Sequence, residues 1–204
     1  MRILLASGNK KKLRELAPLF EAAGIELVPQ GADAPLVEED QPSFRANARK
    51  KACTAALNGV AWALADDSGL EVDALDGAPG VRSARLAGAH GDDAANNARL
   101  LELLAKVPDE RRGARFVCAL CLARPDCTVA LEVEGTARGR ILRAPRGTGD
   151  FGYDPLFLFT EPGFAQTGRG FAELSGEEKA AVSHRGRALR ALLERLPQVL
   201  GIPV

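Results

Sequence analysis

Over its first 65 residues the chain alternates short apolar runs with longer stretches whose apolar residues recur three or four positions apart. That alternation restricts it to a layered α/β fold. Residues 2–6 read as a short buried strand. Polar Ser7-Gly8-Asn9 follows, then a helix with Leu13, Leu16, Ala17 and Phe20 on one face and Gly24 as its stop. Residues 25–29 read as a second strand. A loop rich in Gly, Pro and acid carries Glu38, Glu39 and Asp40. Residues 43–57 form a helix with Phe44, Ala48, Ala52 and Ala55 on one face. Residues 60–65 form a strand that ends in Asp66-Asp67-Ser68-Gly69. Asp92 or Asp93 caps a further helix whose stripe includes Leu100, Leu101 and Leu104.

The order then changes. Residues 114–123 and 128–137 read as neighbouring strands joined near Pro125-Asp126, followed by a glycine-rich stretch, Gly147 to Pro155. The last element is a single helix. Ser175 and Glu178 make its S-x-x-E capping box, Leu189, Leu192, Leu193 and Leu196 its stripe, and Pro197 closes it. Strands first interleaved with helices and then running together predict a mixed sheet rather than a purely parallel one. No stretch is long enough to serve as a linker, so residues 1–204 are expected to form one domain, which is enough chain for a sizeable core.

Charge narrows the function. The 27 basic and 27 acidic side chains cancel, so the whole molecule exerts no pull on a nucleic-acid polymer or an anionic membrane. Any anion must be held by a local cluster. No apolar run reaches the roughly 18 residues of a membrane span, and the start of the chain lacks the apolar core of a signal peptide. A cytoplasmic protein is expected, with Cys53, Cys118, Cys121 and Cys127 as free thiols. Cys118-x-x-Cys121 has zinc-ligand spacing, but residues three apart on a strand face opposite sides.

Five segments could carry chemistry. Ser7-Gly8-Asn9-Lys10-Lys11-Lys12 lies between a strand and a helix, where backbone N–H groups and the helix dipole favour phosphate. Lysines in a first helical turn oppose the dipole, so an anion is the natural reason for them. Asp66-Asp67 ends an apolar strand, a place where α/β folds put functional groups, and two adjacent carboxylates there call for a cation or a basic partner. Hard oxygen ligands beside a phosphate cradle suggest Mg²⁺. Asn47 and Lys51 are four apart and share a helix face suited to phosphate oxygens, whereas Arg45, Arg49 and Lys50 read as a solvated basic face. Phe151-Gly152-Tyr153-Asp154 places aromatics on a glycine-rich loop, where Phe151 either stacks on a base or plugs the core. Lys179, Ser183, His184 and Arg185 cluster on the last helix.

In this order the segments resemble the inosine-triphosphate pyrophosphatase family, in its bacterial dITP/XTP form. The likeness rests on Ser7-Gly8-Asn9-x-x-Lys12, Ser43-Phe44-x-x-Asn47-Ala48-x-x-Lys51-Ala52 and Ala65-Asp66-Asp67-Ser68-Gly69-Leu70. It continues through Gly77-Ala78-Pro79-Gly80-Val81-x-Ser83-Ala84-Arg85 and Gly147-Thr148-Gly149-x-Phe151-Gly152-Tyr153-Asp154-Pro155, and ends at Glu177-Glu178-Lys179-x-Ala181-x-Ser183-His184-Arg185-Gly186. The resemblance implies an elongated mixed β-sheet flanked by helices, in two lobes with an intervening substrate cleft. It implies a homodimer and Mg²⁺-dependent hydrolysis of ITP, dITP and XTP to the monophosphate and pyrophosphate.

Position by position, the same resemblance implies that Ser7, Gly8, Asn9, Lys10, Lys11 and Lys12 hold the triphosphate, with Asn47 and Lys51 reaching the same phosphates. Glu38 and Asp67 would bind Mg²⁺, and Asp67 would also be the general base. Ser68 would touch the substrate and Phe151 would stack on the purine. Gly152, Tyr153, Asp154, Lys179, His184 and Arg185 would complete the base and sugar pocket. The family's Thr-Gly after the acidic pair is replaced by Asp40-Gln41-Pro42, which leaves Glu39 as the alternative ligand to Glu38.

Overall fold

The computed structural model describes residues 1–7, 10–31, 33–149 and 151–201, with the backbone alone for Lys10, Lys11, Lys12, Arg14, Glu15 and Pro18. Six strands form one mixed sheet in the order β2-β1-β3-β4-β5-β6. They are β1 (Arg2–Leu5), β2 (Glu26–Pro29), β3 (Ala63–Val72), β4 (Gly113–Ala123), β5 (Val129–Ile141) and β6 (Phe157–Phe159). Parallel pairing joins β1 to β2 and to β3, and antiparallel pairing joins β5 to β6. Among the described residues five α-helices accompany the sheet: α1 (Lys10–Glu21), α2 (Phe44–Gly59), α3 (Asp93–Leu103), α4 (Gly176–Val182) and α5 (His184–Leu200).

Residue contacts divide the chain into two compact units. The first comprises residues 1–67, 119–134 and 188–204, and the second residues 68–118 and 135–187. In the first unit α1 buries Leu16 and Phe20, β1 buries Ile3 and Leu5, and α2 presents Phe44, Ala48, Ala52 and Ala56. The small side chains of α2 let its backbone approach the sheet closely. In the second unit Phe116, Phe157, Phe159 and Phe171 pack as an aromatic group with Leu70, Leu100 and Ile141. Arg112 is buried there. Its guanidinium donates to the carbonyls of Leu104, Ile141 and Leu142, which satisfies the donors that burial strips of water.

Three expectations are corrected. Strand β3 does not end before the acidic pair but runs through Asp66 and Asp67 to Val72, while Val60 forms the left-handed cap of α2. Local preference against Asp and Gly in a strand yields to pairing within the sheet and, at Asp67, to partners that satisfy the carboxylate. The last helix is two helices, broken at Ser183, which is extended at φ −69 and ψ 155. Its N–H closes α4 on the Lys179 carbonyl, while its hydroxyl and carbonyl accept from Gly186 and Arg187. One serine thus caps both helices, a device that apolar periodicity does not reveal. Pro197 lies inside α5, which continues to Leu200, because in the last turn a proline removes only one helical bond.

The fourth correction concerns the cysteines. Cys53 on α2 and Cys127 in the β4–β5 turn form a disulfide, with Cα atoms 4.6 Å apart. The pairing joins residues 74 apart in sequence and arises from packing of α2 beside the hairpin, which no local spacing encodes. Cys118 and Cys121 are buried on β4 outside any disulfide, and burial pushes the Cys121 thiol up to about 12.

Candidate active site

In the first unit the chemistry gathers at Asp67. Strand alternation turns Asp67 toward the face on which α2 packs, and Ser43 starts α2 by accepting a bond from the Ala46 N–H. That start sets the phase of the helix, so Asn47 and Lys51, one turn apart, meet the same carboxylate. The Asn47 Nδ2 donates to Asp67 Oδ2 at 3.1 Å, and the Lys51 Nζ donates to Oδ1 at 2.9 Å. Lys51 also donates to Glu39 Oε1 at 2.9 Å. The Gln41 N–H donates to Asn47 Oδ1 at 3.0 Å, which orients the amide so that its NH₂ faces Asp67.

Burial is the main cause of the shift at Asp67, raising its carboxyl to about 6 against the pull of Lys51. Burial would lower the Lys51 ammonium, but Asp67, Asp66 and Glu39 outweigh it and hold the ammonium above its ordinary value. Both shift upward, Asp67 chiefly through burial and Lys51 because three carboxylates face its one ammonium. The cluster is short of positive charge, the condition that a divalent cation relieves. Among the described residues no three acidic, histidine or cysteine side chains converge as a ligand set. A pair of hard carboxylates is what Mg²⁺ uses when substrate phosphates and water complete its shell. The donors present fit that ion.

Glu39, rather than Glu38, is brought to this cluster. Glu38 is exposed, and its carbonyl accepts from Lys50, which also pairs with Asp40. Arg49 and Arg45, read as a solvated face, are more than half exposed and pair with Glu132 and Glu134 of β5. Ser7 follows β1 and donates its N–H to the Leu5 carbonyl. Gly8 and Asn9 lie outside the described residues, as do the side chains of Lys10, Lys11 and Lys12, which occupy the first turn of α1.

In the second unit the expected base-recognition residues come together. Phe151 is 38% exposed and so is no core plug. Lys179 and Arg185 approach its ring, at 5.2 and 5.7 Å from the centroid. Lys179 forms an ion pair with Asp154, which is buried. Burial still raises the Asp154 carboxyl, against Lys179 and Arg185. His184 is buried and stacks on Phe116 at 4.7 Å, so it contributes packing as well as polarity. Arg185 makes a long 3.5 Å contact with the Ser68 hydroxyl. Tyr153 braces the loop, its hydroxyl donating to the Ser83 carbonyl at 2.8 Å.

The family model that matches is that of the Ham1 family, over residues 3–195. The chain belongs to the Ham1 family. Among its Ham1 relatives, a dITP/XTP pyrophosphatase of Desulforamulus reducens is 50% identical over 198 residues, covering 96% of each chain. One of Corynebacterium glutamicum (strain R) is 48% identical over 206 residues, covering 98% of each. The fold is also that of Ham1 structures. A HAM1 protein from Coxiella burnetii superimposes with a TM-score of 0.88 at 40% identity, covering 97% of this chain and 99% of that one. A nucleoside-triphosphatase / dITP/XTP pyrophosphatase from Mycobacterium abscessus does so with a TM-score of 0.76 at 51% identity, covering 95% and 99%.

Two residues assigned no site role from the sequence meet the loop that carries Phe151. Asp93 and Asn97 of α3 bond to the backbone of Gly152. Their signal was available: a polar pair at i and i+4 on an expected helix, the same pattern that singled out Asn47 and Lys51.

Proposed function

We propose that the protein hydrolyses non-standard purine nucleoside triphosphates, ITP, dITP and XTP, to the monophosphate and pyrophosphate. The observation that carries this reading is the convergence of Asn47 and Lys51 on Asp67, in a chain about half identical from end to end to dITP/XTP pyrophosphatases.

Pyrophosphate leaves only if water attacks the α-phosphorus. A bond forms from the water oxygen to that phosphorus, the bond from the phosphorus to the α–β bridging oxygen breaks, and one water proton must be accepted. Asp67 is the proposed acceptor, with the Asn47 amide and the Lys51 ammonium fixing its orientation. Lys51 also supplies positive charge for the departing pyrophosphate. Glu39 and Asp67 would hold Mg²⁺, which when bound neutralises charge on the phosphate oxygens. Phosphate contacts are assigned to Ser7, Gly8, Asn9, Lys10, Lys11, Lys12 and Asn47. Ser68, Phe151, Gly152, Tyr153, Asp154, Lys179, His184 and Arg185 are assigned to the nucleoside. A ring flanked by two cations suits the 6-oxygen of hypoxanthine or xanthine better than the 6-amino group of adenine. We further propose that one domain spanning residues 1–204 acts as a homodimer in the cytoplasm.

Incubation with ITP, XTP, GTP and ATP, in Mg²⁺ and in EDTA, tests this. Pyrophosphate should appear from ITP and XTP, little from ATP or GTP, and none in EDTA. Asp67→Asn should lower kcat by about 10²–10⁴-fold. Orthophosphate as the product, or equal rates with every base, would refute the assignment.

A further inference from the structure

The loop carrying Phe151 is pinned at one residue. Gly152 donates its N–H to Asp93 Oδ2 at 2.8 Å, and its carbonyl accepts from Asn97 Nδ2 at 2.8 Å. Both backbone groups of a single residue are therefore held by two side chains one turn apart on α3. Gly152 sits at φ +54, in the left-handed region, and an added Cβ there would meet no atom within 4 Å. The backbone conformation, not a lack of space, favours glycine.

The surroundings extend this clamp. Asn96, next to Asn97, accepts from the Ala87 N–H at 2.8 Å and so fixes α3 against the turn that follows Ser83. Ser83 in turn receives the Tyr153 hydroxyl on its carbonyl and the Leu70 N–H on its own hydroxyl. Gly152 and Tyr153 are thus held from two directions, while Phe151 between them and the solvent remains partly exposed. Outside the buried core, the ring takes its orientation from its backbone as well as from Lys179 and Arg185, which approach it. The backbone next to Phe151 is set by Asp93 and Asn97.

We infer that Asp93 and Asn97 are positioning residues for base recognition: by holding both backbone groups of Gly152 they fix how Phe151 and Asp154 are presented to the purine. This inference rests on the reading of Phe151 and Asp154 as base-recognition residues. Their effect falls on binding and base choice, since neither side chain belongs to the Asp67 cluster.

The test compares Asp93→Ala, Asn97→Ala and Asp93→Asn with the wild type, measuring kcat and KM for ITP and ATP and the affinity for IMP. An Asn at position 93 keeps an oxygen that can accept the Gly152 N–H. The two alanine variants should raise KM for ITP and weaken IMP binding by about tenfold, the loss of one hydrogen bond at a binding surface. Their kcat should stay within about twofold, the ITP-over-ATP ratio of kcat/KM should narrow, and Asp93→Asn should recover most of the loss. Unchanged KM and base ratio in both alanine variants would overturn the inference while leaving the proposed reaction intact. So would a fall in kcat that follows the folded fraction and spares base choice. A wild-type protein that neither binds IMP nor hydrolyses ITP would overturn the base-recognition reading, and this inference with it.

Discussion

Single residues here act through the partners that surround them. Asp67 shifts upward chiefly through burial, with Glu39 adding to it, and Lys51 shifts upward because Asp67, Asp66 and Glu39 outweigh its burial. Glu161 shows the opposite balance. Burial would raise its carboxyl, but the Arg187 guanidinium and the Arg138 N–H outweigh burial and hold it below its ordinary value of 4.5. A lowered acid stabilises the fold above its unfolded value and loses that contribution as pH falls through the folded one. Glu161→Gln should therefore cost about 1–2 kcal/mol at neutral pH. In urea denaturation the gap to wild type should shrink as pH drops below 4.5; a gap independent of pH would refute the ionic origin. Asn47 and Lys51 were legible as a pair because helical spacing alone puts them on one face. Their target was not, because the carboxylate they share lies on another element. The choice between Glu38 and Glu39 was equally invisible, since adjacent loop residues have no periodicity to separate them.

At the scale of elements, β1, β2, α1, α2 and β4 follow the apolar pattern closely, because each is bounded by polar or glycine residues, whereas β5 runs on to Ile141, beyond the expected end at 137. Strand β3 is longer than its apolar run suggests, since Asp66, Asp67 and Gly69 look like a stop until a sheet surrounds them. The α4–α5 junction was hidden for a different reason: its break is made by backbone geometry at Ser183, beneath an apolar stripe that continues. Gly186 serves this junction through its size, since a Cβ there would clash with the Ala180 backbone carbonyl. Gly186→Ala should cost about 1–3 kcal/mol by overpacking. Gly176→Ala, at the start of α4 with no atom within 4 Å of the added carbon, should be neutral or stabilising by up to about 1 kcal/mol. Thermal melts of the two variants check the contrast, and equal melting points would show that the close approach at Gly186 carries no constraint.

Across the whole molecule, long-range linkage was the least legible property. The Cys53–Cys127 bridge closes 74 residues of separation inside the first unit. Its removal by Cys53→Ser with Cys127→Ser, or by a dithiol, should cost about 2–4 kcal/mol in denaturant. Thiol titration of the untreated, unfolded protein should find two reactive groups, Cys118 and Cys121, and four after reduction; four before reduction would refute the bridge. Composition pointed to a neutral, globular chain, and among the described residues no helix is long and apolar enough to cross a membrane. What composition could not convey is that the first unit is assembled from three separate stretches of chain and the second from two. Protein synthesis is vectorial, and segments fold as they emerge. The stretch from 188 onward that completes the first unit is made after every part of the second, so a nascent chain holds residues 1–67 unfinished while the other unit closes. By the same token no single cut in the coding sequence yields either unit whole, and recombination can pass this fold on only as one piece.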